Sequence, residues 1–206
     1  MRHSARVTSI VLLLAGMSGT AIAVSQPAGA SESFKFAATV KAQTTLAKLN
    51  ETVVIPPGKF HGAIISGSST LARVKGNLKL PPATTTMKIA GIGLAKVTVA
   101  LSQTKKTVGT LNANTFALTA TSTFDIHVVS VKPLGLPVNL VGNHCVTGKP
   151  VKLTFSGTIS PISGGSVAGT YSIPAFVNCG ASTAVLNAAI AGPGNTFTAT
   201  LTPSLS

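Results

Sequence analysis

The strongest constraint on this chain is a two-residue hydrophobic period that recurs along most of its length. The longest run spans Phe116 to Ser130. Phe116, Leu118, Ala120, Ser122, Phe124, Ile126 and Val128 alternate there with Thr119, Thr121, Thr123, Asp125 and His127. Successive side chains of an extended strand point to opposite faces, so this period marks a strand buried on one side. The same pattern starts at Phe34, where Phe34, Phe36, Ala38, Val40, Ala42, Thr44 and Leu46 alternate with Lys35, Ala37, Thr39, Lys41, Gln43 and Thr45. It returns at Ala72, with Val74, Gly76, Leu78 and Leu80 set against Arg73, Lys75, Asn77 and Lys79. Ala95, Val97, Val99 and Leu101 then alternate with Lys96 and Thr98, and further strands start at Val151 and Asn195.

The punctuation between these runs is turn chemistry. Pro56-Pro57-Gly58, Pro81-Pro82, Ser163-Gly164-Gly165 and Gly192-Pro193-Gly194-Asn195 read as strand ends. Val54-Ile55-Pro56-Pro57 and Lys79-Leu80-Pro81-Pro82 echo each other and read as one strand-end device used twice. Only one segment has helical character. Ser182 or Thr183 could cap Ala184 to Ala191, with Gly192 as the stop and Pro193 just beyond. The expected fold is all-β: a single antiparallel β-sandwich or barrel of about ten strands, with one short C-terminal helix near 182–191 plugging one end. Small residues at inward positions (Ala38, Ala42, Gly76, Ala95, Ala120) allow either tight sheet packing or an internal cavity.

The N-terminus places Arg2 and Arg6 before an apolar stretch from Val7 to Met17 that is too short to span a bilayer. Ala21-Ile22-Ala23 and Ala28-Gly29-Ala30 both fit a signal-peptidase site. Cleavage after Ala30 is favoured, which divides the chain into a signal peptide at 1–30 and a secreted β domain at 31–206. The C-terminal residues carry no hydrophobic tail or sorting motif, so release without a transmembrane anchor is expected, outside the cell or on its envelope. Cys145 and Cys179 are the only cysteines. In an oxidising compartment an isolated pair is expected to form a disulfide. It would join the loop before the strand at 151–160 to the segment just before the helix, closing a loop worth about 3.5–4 kcal/mol in chain entropy.

Charge narrows the function classes. Sixteen Lys and Arg stand against three acids, a net charge of +13. Glu32, Glu51 and Asp125 are the only side-chain carboxylates, which disfavours acid–base enzymes. Thr123, Asp125 and His127 share one strand face and could serve a hydrolase, but no G-x-S-x-G elbow supplies a nucleophile; the plain alternative is a solvated pair. His61, His127, His144 and Asp125 lack ligand spacing, so no metal or other cofactor is expected. Arg73, Lys75 and Lys79 share a strand face, and Lys88 and Lys96 follow on the next two strands. If those strands are neighbours, they form a patch for an anionic partner; otherwise they form a solvating face that discourages edge pairing. Scarce aromatics argue against nucleic acid, and the absence of Trp and single Tyr171 argue against carbohydrate stacking. The expected function is non-enzymatic: binding of an anionic envelope polymer or lipid through the lysine-rich face. The main alternative is a carrier of a hydrophobic ligand such as a lipid in a β-barrel or sandwich cavity. A hydrolase using Asp125 and His127 ranks last.

Several phrases also carry a resemblance. They are Phe34-Lys35-Phe36-Ala37-Ala38-Thr39-Val40-Lys41-Ala42, Leu80-Pro81-Pro82-Ala83-Thr84, Val138-Asn139-Leu140-Val141-Gly142-Asn143, Gly169-Thr170-Tyr171-Ser172-Ile173-Pro174 and Gly192-Pro193-Gly194-Asn195-Thr196-Phe197. Together they resemble small secreted β-rich proteins of actinobacteria, the high-GC Gram-positive bacteria. The resemblance implies secretion and β character, and no activity or site residues come with it.

Overall fold

The structure, a computed structural model, describes residues 32–67 and 70–204. The expected signal peptide and both cleavage sites lie outside the described residues. The described residues form eleven strands: β1 (Ser33–Leu46), β2 (Glu51–Ile65), β3 (Leu71–Lys79), β4 (Ala83–Ile89), β5 (Gly93–Asn112), β6 (Ala117–Pro133), β7 (Val146–Thr147), β8 (Val151–Ser160), β9 (Gly164–Ile173), β10 (Phe176–Val177) and β11 (Gly192–Pro203). A 3-10 turn (Gly180–Ser182) leads into one helix, α1 (Thr183–Ala189).

The sheet closes on itself. Neighbours run β1, β2, β3, β5, β6, β8, β9, β11 and back to β1, every pair antiparallel. The fold is therefore an eight-stranded barrel with three extra strands, which decides against the sandwich. The deciding pair is β5 with β6, matched from Ala95–Pro133 to Leu111–Leu118. Strands this long wrap the whole height of the barrel and remove the free edges that a sandwich would leave.

The period-2 rows face as the sequence indicates. Ala38, Val40, Ala42 and Leu46 of β1, Val74 of β3, and Leu118, Ala120, Ile126 and Val128 of β6 point inward and are buried. Phe116 departs from its row. It has a positive φ of 56° in the turn before β6 and stays largely exposed. Gly76 stands opposite Gly62, and the Phe60 ring lies across both. A Cβ on Gly76 would come within 2.3 Å of that ring, so the small residue here makes room for an aromatic rather than leaving a void.

The helix plugs one end, as expected, although it starts at Thr183 and ends at Ala189. Ser182 does not cap it; its hydroxyl donates to the Leu140 carbonyl at 2.6 Å instead. Leu186, Ala189 and Ile190 join the core. Asn187 clamps β10, accepting from the Phe176 N–H and donating to the Phe176 carbonyl. Cys145 and Cys179 are joined in a buried disulfide that ties the loop before β8 to the turn before α1. Cys145→Ser should lower unfolding stability by a few kcal/mol, near the chain-entropy value of about 3.5–4 kcal/mol. Denaturant titration of that variant and of the reduced wild-type protein checks this; equal midpoints for oxidised and reduced protein would refute it.

Candidate functional site: an apolar cavity behind a split wall

Eight strands enclose a lumen that side chains can just fill or that can hold one small ligand. Here the filling is incomplete. A cavity of about 80 Å³ lies toward the α1 end and a second of about 50 Å³ toward the other. Leu78 and Phe197 line both and separate them. The first is walled by Leu46, Val53, Ile55, Met87, Val97, Val99, Leu101, Ile126, Val128 and Ile173, with Phe176 and Ile190 over its end. No lining residue of either cavity bears a charge. Such a space stays dry and favours apolar guests.

The wall of this cavity is split on one side. β2 pairs with β3 only from Ile65–Arg73 to Lys59–Lys79. Beyond that, β4 takes over along β5, from Ala83–Val99 to Ile89–Gly93. Among the described residues no backbone ladder joins β2 to β4. Extending the β2–β3 register brings Pro57 opposite Pro81 and Pro56 opposite Pro82. Proline has no N–H to donate, so the two facing pairs end the ladder at one level. This corrects the strand-end reading of Pro56-Pro57. The chain runs straight on through β2, which bulges against β1 between Gly58 and Ile55. Val53 and Ile55 on one side of the split and Ala83 and Met87 on the other are buried and line the cavity.

Five polar side chains reach the first cavity: Thr44, Thr85, Gln103, Ser122 and Tyr171. The Tyr171 hydroxyl lies 2.6 Å from Thr44 Oγ1, which itself donates to the Thr196 carbonyl at 2.7 Å. Tyr171 is therefore the donor to Thr44. Gln103 reaches Thr107 and Ser122 at the mid-height of the lumen. Asn195, read from the sequence only as part of a turn, is a buried clasp. It accepts from the Ala47 N–H and donates to the Gly192 carbonyl. A lone Asn in turn-rich sequence carries no signal of that role.

The structure places Arg73, Lys75 and Lys79 exposed on the outer face of β3, as the alternation implies. Two residues not singled out from sequence extend this group. Lys59 stands directly opposite Lys79, and Lys35 and Lys75 both face Ala63 from the two flanking strands. Lys88 and Lys96 lie elsewhere, on β4 and the first half of β5, where Lys96 stands opposite Lys132. Lys75 lies opposite Val108 of β5, roughly 40 Å of strand contour from Lys96 at about 3.3 Å per residue. The five cations thus form two groups. Sequence order could not show this, because β3 and β4 share one neighbour at different heights.

Asp125 and His127 sit on the outward row of β6, while Phe124, Ile126 and Val128 of the same strand face the cavity. Asp125 stands opposite Ser102 and His127 opposite Ala100. Asp125 Oδ1 is buried without a hydrogen-bond partner, and no bond joins it to His127. Among the described residues, no three His, Cys, Asp or Glu side chains converge as metal ligands. Searches against protein-family models, curated proteins and solved structures find no match to this chain.

Burial raises the Tyr171 pKa above its ordinary 10.0. A raised folded-state pKa stabilises the fold below pH 10, and that contribution disappears as pH rises through the folded value. Tyr171 is the only tyrosine, so tyrosinate absorbance reports it alone. Its titration midpoint should lie above 10.0 in the folded protein and return to the ordinary value on unfolding. A folded-state midpoint at or below the ordinary value would contradict this.

Proposed function

We propose that this protein is a secreted, non-enzymatic carrier that holds a hydrophobic molecule inside the barrel. One observation carries the reading: a closed barrel with an uncharged, apolar cavity behind a wall whose ladder is interrupted on one side. No backbone ladder spans the split between β2 and β4 among the described residues, where the buried side chains of Val53, Ile55, Ala83 and Met87 line the cavity. Parting it breaks side-chain contacts only, so it is the least costly way for a guest to pass the wall. The barrel is apolar inside and rich in Lys and Thr outside, the inverse of a lipid-embedded barrel. That polarity and the disulfide support a water-exposed, oxidising location.

The carrier reading is tested on protein purified without detergent. Native mass spectrometry should show co-purifying neutral, hydrocarbon-rich adducts. After extraction, octane should shift the methyl NMR signals of Val97 and Ile126. A uniform ligand-free mass together with unshifted methyls would overturn it.

The lysine-rich face supports a second, compatible role in which the carrier docks on anionic envelope material. Lys59 and Lys79 directly opposite each other repel, with a cost that only a separate use or plain solubility explains. Sedimentation with isolated envelopes should fall steeply with added salt. Charge reversal at Lys59 and Lys79 should weaken it more than reversal at Lys88 and Lys96. Binding that ignores salt would refute this docking role.

A further inference from the structure

At the boundary between the two cavities lies a small cluster of buried polar side chains. Gln103 Oε1 accepts from the Leu78 N–H at 2.8 Å. Gln103 Nε2 donates to Thr107 Oγ1 at 3.0 Å and to Ser122 Oγ at 3.3 Å. The two hydroxyls lie 3.0 Å apart. Ser122 is 1% exposed and Thr107 2%. Two bulges of β5, between Gln103 and Val108, create this arrangement. They turn Lys105 to the outside and leave Gln103 and Thr107 both facing in, close enough to bond.

The hydrogens of this cluster do not balance. Its donors are the Leu78 N–H, both amide hydrogens of Gln103, and the Thr107 and Ser122 hydroxyls. The four bonds use the Leu78 N–H, both amide hydrogens and one hydroxyl hydrogen. Whichever hydroxyl donates to the other, the second keeps a hydrogen with no acceptor. Ser122 lines the first cavity and Thr107 the second, so whichever hydroxyl keeps its hydrogen stands at a cavity wall. A buried donor left unmade is costly, whereas a guest that accepts from it recovers that cost.

Building on the carrier reading, we infer that the guest is a neutral, mainly hydrocarbon molecule with one carbonyl-type acceptor, anchored at the Ser122–Thr107–Gln103 cluster. Charge is excluded by the surroundings. No cationic side chain lines either cavity, so an ionised carboxylate inside would stand unpaired in an apolar space. A purely hydrocarbon guest would fill the cavities but leave the hydroxyl unused.

The test uses the intact protein with octane, 2-octanone and ionised octanoate as probes. Binding is followed by methyl NMR, and the ketone by the infrared band of a carbon-13 carbonyl. The expected result is that octane and 2-octanone bind, octanoate does not, and the bound ketone band lies below its position in hexane, as for a hydrogen-bonded carbonyl. Ser122→Ala, a conservative change, should move that band and weaken 2-octanone several-fold, as for loss of one hydrogen bond, without weakening octane. If no probe binds, the carrier reading fails. If 2-octanone binds with its hexane band, or with a band that neither Ser122→Ala nor Thr107→Val moves, the carrier stands and the anchor is overturned. Octanoate binding as tightly as the ketone would overturn the neutral-guest inference.

Discussion

The ladder between β5 and β6 is the interaction on which this structure depends. Each strand alone would expose a long apolar row, and a sheet ending at either would leave a template for aggregation. Their pairing brings the ends of the sheet together, and only then do Val97, Leu111, Leu118 and Val128 share one interior. Closure also requires the strands to bend. The register shifts between Thr98 and Val99 and between Gln103 and Val108 supply that bend. One consequence reaches the lumen directly, because the second set of shifts brings Gln103 onto Thr107 and Ser122.

Closure is uneven around the circumference. At one end the wall is continuous from β2 through β3 to β5. At the other, facing prolines stop the β2–β3 ladder, and β4 continues along β5 without bonding β2. This end also holds the larger cavity and receives α1. The Asn187–Phe176 clamp and the Cys145–Cys179 bond fasten β10 and the turn before α1. With no backbone ladder between β2 and β4 among the described residues, this part of the wall has fewer backbone bonds to break than the rest.

Much of the fold was legible in the sequence because strand geometry is local. Alternation assigned the faces of Ala38 to Leu46, Val74 and Leu118 to Val128 correctly, since successive side chains must point to opposite sides, but failed at the row ends Phe34 and Phe116, which are exposed. The even, isolated cysteine pair indicated its own bond, and Gly192-Pro193 marked the end of the helix within a few residues. The site was far less legible. Ser122 was visible only as a polar interruption of an apolar row, and Gln103 and Thr107 fell outside any run that the period marked.

The sequence by itself determined the β class, the main alternating strands and most of their inward faces, the single short helix and the disulfide, because each rests on neighbours in the chain or on a pair with no rival partner. Only the tertiary structure decided barrel over sandwich, filled glycine positions over empty ones, and two lysine groups over one patch. Each of these depends on register between distant strands. A shift of one residue there would reverse every face. The echo of Pro56-Pro57 in Pro81-Pro82 shows the difference most plainly. Both pairs are evident in the chain, but only the β2–β3 register, which ends at Lys59–Lys79 just short of both, shows that they flank the same break in the ladder.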